Sequence, residues 1–142
     1  FRRYSKALLI HTPTAEAMNH AVDVASFMNT IKVVVSGMGG EQWRSAIDVA
    51  TKPSNLFLDF SGTLDPAKLA YAIKHMSGVR KLVFGSGAPG TDPAALLALL
   101  DDLELSSDER QRILWGNSKR LFGEAGGASE SDESLQLTPM GS

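Results

Sequence analysis

Residues 55–73 read N-L-F-L-D-F-S-G-T-L-D-P-A-K-L-A-Y-A-I, and this stretch decides the fold. Leu56-Phe57-Leu58 is a short, bulky apolar run closed by Ser61-Gly62, which suits a strand buried on both faces. Asp65-Pro66 then opens a helix, with Asp as the N-cap and Pro at the first helical position. Leu69, Ala70, Ala72 and Ile73 continue on a helical stripe. One strand followed directly by one helix is a βα unit.

The same unit recurs on both sides. Apolar runs at Ala7-Leu8-Leu9-Ile10, Val33-Val34-Val35 and Leu82-Val83-Phe84 are each followed by Gly, Ser, Thr or Pro. The four run centres lie about 25 residues apart. Helical stripes fill the gaps: Ala17, Met18, Ala21, Val24, Ala25 and Met28 in the first, Trp43, Ala46, Ile47 and Ala50 in the second. Asp92-Pro93 opens a fourth helix by the same capping device, carrying Leu96, Leu97, Leu99, Leu100 and Leu103. A last helix starts at Ser106, where Ser106 and Glu109 form a capping box. Gly116-Asn117 is expected to interrupt it, and Leu121-Phe122 to pack its end.

The order is therefore four consecutive βα units plus a C-terminal helix, an α/β fold. Right-handed crossovers make all four strands parallel, with their C-terminal ends on one rim. An open α/β sheet and half of a (β/α)8 barrel both fit, and the short period favours the half-barrel. Two sheet edges are then left open, so self-association or a missing N-terminal half-barrel is expected to cover them.

Composition narrows the classes. The chain has 142 residues, 43% hydrophobic and 21% charged, enough for one domain with a core. There is no cysteine, which excludes disulfides and thiolate chemistry. The formal net charge is -2, and no basic, aromatic-interleaved surface for nucleic acid is visible. No apolar run reaches membrane-spanning length, no signal peptide is seen, and the cytoplasm is the default compartment. The chain opens on Phe1, which reads as a processed product or a fragment. Residues 1–123 form the folded unit. The tail 124–142 is rich in Gly, Ser and acids and is expected to be disordered.

Ligands meet such folds at the C-terminal ends of the strands. The residues there are His11, Thr12, Ser36, Gly37, Ser61, Ser86 and Gly87, with Asp59 inside the third run. His11 suits a metal ligand or proton carrier. Asp59 suits an acid, a base or a ligand, or a side chain bonded within the sheet. Ser36, Ser61 and Ser86 have no visible base besides His11, and no G-x-S-x-G elbow surrounds them. Gly85, Gly87 and Gly90 spell G-x-G-x-x-G, but Pro89 interrupts the motif and the helix opens only at Asp92-Pro93. This weakens a phosphate-binding reading.

K-V-V-V-S-G-M-G-G-E-Q-W (32–43), N-L-F-L-D-F-S-G (55–62), K-L-V-F-G-S-G-A-P (81–89) and R-Q-R-I-L-W-G-N-S-K-R-L-F-G (110–123) resemble, in order, the C-terminal half of the amidohydrolase-related family. These are metal-dependent barrel hydrolases and decarboxylases, among them the aminocarboxymuconate-semialdehyde and 2,3-dihydroxybenzoate decarboxylases. The resemblance implies a divalent metal, zinc or manganese, and a small carboxylic acid, amide or ester as substrate. It implies His11 as the metal ligand at the end of the family's fifth strand. It makes Thr12, Ser36, Ser61 and Ser86 candidate substrate contacts on the rim. The family's sixth strand reads alanine-histidine-x-glycine-glycine, and Gly37 stands at that His. Its eighth strand reads glycine-serine-aspartate-x-proline, and Gly87 stands at that Asp. The implied expectation is a partial, impaired domain, with a non-catalytic binding or assembly module as the alternative. Restoring His at 37 and Asp at 87 is then expected to raise metal affinity.

Overall fold

A computed structural model describes residues 7–123. The acidic tail 124–142 lies outside the described residues. Four parallel strands, β1 (Leu8–His11), β2 (Val33–Ser36), β3 (Leu56–Asp59) and β4 (Leu82–Val83), form one sheet in chain order. Each of the first three is followed by a helix: α1 (Ala15–Phe27), α2 (Trp43–Ala50) and α3 (Pro66–His75). After β4 come α4 (Pro93–Asp101), α5 (Ser107–Gln111) and α6 (Asn117–Phe122).

The local signals act where the sequence puts them. Thr14, Asp65 and Asp92 cap their helices by accepting the N–H of Ala17, Ala67 and Ala94. Ser106 and Glu109 close the capping box. Alternation along the strands separates two faces. Val33, Val35, Leu56, Leu58 and Leu82 meet Met18, Ala21, Ile47, Leu69 and Leu96 of the helices in the main core. Each fully buried Leu or Ile there contributes about 1.5–3 kcal/mol. Val34, Phe57 and Val83 turn to the opposite face, where Leu121 packs on them.

Two expectations are corrected. β1 is not buried on both faces: its residues alternate, and Leu9 is 67% exposed. It is an edge strand, so its second face has a neighbour on one side only. Gly116-Asn117 does not interrupt the last helix. The chain passes from α5 to α6 through a π-helical turn over Arg112–Gly116. The Asn117 N–H donates to the Arg112 carbonyl, five residues back. The Ile113 carbonyl instead accepts from the Phe84 N–H at 3.1 Å, so the helix satisfies the end of β4. The buried Asn117 side chain donates to the Val79 and Leu82 carbonyls at 2.6 and 2.7 Å. These bonds offset the cost of Gly116 inside a helix, about 1 kcal/mol.

Candidate functional site

Three strands end in the same phase: L-L-I-H, V-V-V-S and L-F-L-D. The fourth residue of each lies on the face of Val34 and Phe57, away from the helices. Pairing of His11 with Ser36, and of Val35 with Leu58 one step below, sets His11, Ser36 and Asp59 in a polar row at the strand ends.

His11 and Ser36 touch. Nδ1 of His11 lies 3.0 Å from Oγ of Ser36, within hydrogen-bond reach. His11 is exposed and Ser36 half-buried. Thr12 is fully buried, and both its N–H and its hydroxyl donate to the Ser36 carbonyl, at 2.7 and 2.6 Å.

Asp59 is 8% exposed and accepts the Ser61 N–H at 3.2 Å. Burial pushes its carboxyl above the ordinary value, and the hydrogen bonds from Ser61 only partly oppose this. Gly85 makes the arrangement possible: a Cβ there would collide with the Ser61 hydroxyl and the Asp59 carboxyl. Ser61 is thus bound to Asp59, and Ser86 accepts the Ala88 N–H at 3.3 Å.

The two glycines at the family positions have left-handed backbones, with φ of +90° at Gly37 and +67° at Gly87. A Cβ at 37 would lie 2.9 Å from the Thr12 carbonyl oxygen and 3.1 Å from His11 Cε1. A Cβ at 87 would lie 2.7 Å from the Gly62 nitrogen. Both sites are shaped around glycine, which opposes the expected gain in metal affinity on restoring His and Asp. Among the described residues no three His, Cys, Asp or Glu side chains come together as a metal site.

The G-x-G-x-x-G turn does not present a free helix end. Asp92 caps α4 at its N-terminus, accepting the Ala94 N–H at 2.9 Å. Its carboxylate stands where a phosphate would otherwise meet the amides. His20 is exposed on α1. His75 stacks on Tyr71, with ring centroids 3.9 Å apart, on the helical layer. A cavity of about 450 Å³ opens between the two loops that leave β1 and β2, lined by Pro13, Thr14, Glu16, Gly39, Glu41 and Gln42 among others.

The sequence offered His11 as the base for any of three serines without singling out Ser36, and it did not show the role of Gly85. The signal for the first was the shared polar fourth residue of three apolar runs. Nothing local announced the second, since Gly85 and Asp59 meet only across β3 and β4.

Comparison with known proteins bears on this geometry. No curated protein sequence matches the chain. Among solved structures, a zinc-bound amidohydrolase from Burkholderia multivorans is similar at 17% identity and a TM-score of 0.66, over 76% of this chain and 49% of that one. A dihydroxybenzoic acid decarboxylase from Polaromonas sp. JS666, with manganese and the inhibitor 2-nitroresorcinol, is similar at 19% identity and 0.58, over 75% and 40%. An uncharacterised TIM-barrel protein from Bordetella bronchiseptica reaches 20% identity and 0.64, over 84% and 46%. The chain thus spans less than half the length of these proteins, and its four βα units are a partial barrel. The amidohydrolase family profile matches residues 7–123, the whole of the described fold, and the chain belongs to the amidohydrolase family.

Proposed function

We propose that this chain is the C-terminal half-barrel of a metal-dependent hydrolase or decarboxylase type, with an impaired metal site. The observation that carries the reading is the left-handed glycine backbone at both family positions, packed against Thr12 and Gly62. A catalytic divalent-metal site takes about three protein ligands. The described residues offer His11 from the family set, and its Nδ1 faces Ser36. They do not fit a resident metal. What remains is a polar rim of His11, Ser36, Asp59, Ser61 and Ser86, of the right chemistry to hold a small carboxylic acid, amide or ester. A non-catalytic binding or assembly module is the second reading, favoured by the same glycines.

The similar structures with manganese and zinc name the ions to test. The full chain is loaded with either ion, desalted and assayed by elemental analysis. Metal well below one ion per chain, unchanged in His11→Ala, is the expected result. One ion per chain, lost in His11→Ala, would overturn the proposal.

A further inference from the structure

We propose that Ser36 is a nucleophile on this rim, with His11 as its base, and that the pair reacts with small activated esters and organophosphorus electrophiles without a metal. A nucleophile is recognised by a base within hydrogen-bond reach, and Ser36 has one at 3.0 Å. Of the other rim serines, Ser61 meets the buried Asp59 carboxyl and Ser86 accepts a backbone N–H, so neither faces an imidazole.

The separation is held by rigid elements. His11 and Ser36 are direct partners in the β1–β2 ladder. Beyond them, Thr12 clamps the Ser36 carbonyl with two hydrogen bonds. Sites carried on strands keep their geometry better than sites on loops. Access follows from Gly37, which carries no side chain beside the His11 ring; a Cβ there would lie 3.1 Å from Cε1. The glycine that removes one family group therefore leaves this pair open.

The chemistry balances within the pair and its substrate. The Ser36 oxygen attacks the ester carbonyl while its proton passes to His11 Nδ1, in the tautomer that carries hydrogen on Nε2. The bond from the acyl carbon to the alkoxy oxygen breaks, and the alkoxide takes the proton from His11. Water, deprotonated by the same nitrogen, then cleaves the acyl-serine to the acid. With a phosphonofluoridate the phosphorus–fluorine bond breaks, fluoride leaves, and the adduct persists.

That persistence supplies the test. The full chain is treated with a fluorophosphonate probe in the presence of a chelator, and adducts are located by tandem mass spectrometry. Ser36 is expected to label roughly 100-fold faster than Ser61, Ser86 or the urea-unfolded chain. The label is expected to vanish in Ser36→Ala and to fall to background in His11→Gln, with circular dichroism unchanged. Added imidazole is expected to restore labelling in His11→Ala, which a merely structural role would not allow. Equal rates at the three serines, labelling in His11→Gln at the wild-type rate, or no rescue would overturn the proposal. Its failure is distinct from failure of the impaired-barrel reading, which is decided by metal content.

Discussion

Asp59 is a buried carboxyl at the end of β3 with Ser61 as its hydrogen-bond partner. Burial raises its proton affinity, so the folded chain keeps a proton that the unfolded chain has released. Its contribution to stability is full below the ordinary carboxylate value and falls as pH rises through the raised one. Asp59→Asn removes that slope. Its melting temperature is expected to exceed that of the wild type at neutral pH, and the two curves to converge in acid. A variant that melts lower at neutral pH would contradict this. At Gly37 and Gly87 the constraint is steric. Positive φ and close backbone atoms at 2.9 and 2.7 Å oppose any side chain. Gly37→His and Gly87→Asp are each expected to cost about 1–3 kcal/mol in urea denaturation, with no gain in metal content.

Helix starts were legible because caps act within three or four residues. Asp65-Pro66, Asp92-Pro93 and Ser106 with Glu109 all open helices where the sequence puts them. β2 and β3 were legible because both their faces are covered. The passage from α5 to α6 was not, because its cause is distant. Asn117 is 3% exposed and ties the last helix to carbonyls 35 and 38 residues away. Asn117→Ala removes the buried side-chain donor shared by those two carbonyls, of which Val79's also accepts the Leu82 N–H. It is expected to lower stability by about 2–4 kcal/mol, measured by denaturant unfolding. A loss under half a kcal/mol would mean that solvent or a neighbouring group replaces the amide.

Across the molecule, the sheet ends at β1 on one side and β4 on the other. Leu9, the ladder partner of Val34, lies exposed on the β1 edge. Unpaired strand edges and exposed apolar side chains favour pairing with another chain. A second copy, or a preceding half-barrel, would cover them. The chain alone is expected to sediment as a dimer or larger species at micromolar concentration, and Leu9→Lys to shift it toward monomer. A folded monomer under those conditions would remove self-association as the cover.

The four βα units, their parallel order and the strand ends that carry His11 and Ser36 were legible in the chain's local pattern. Those features follow from apolar runs, caps and crossover handedness, which are written locally. Only in the folded sheet does His11 meet Ser36, Thr12 clamp the Ser36 carbonyl, and Gly85 make room for Asp59. Each of these joins residues on different strands. Register and face decide such contacts, and neither is encoded within any one segment.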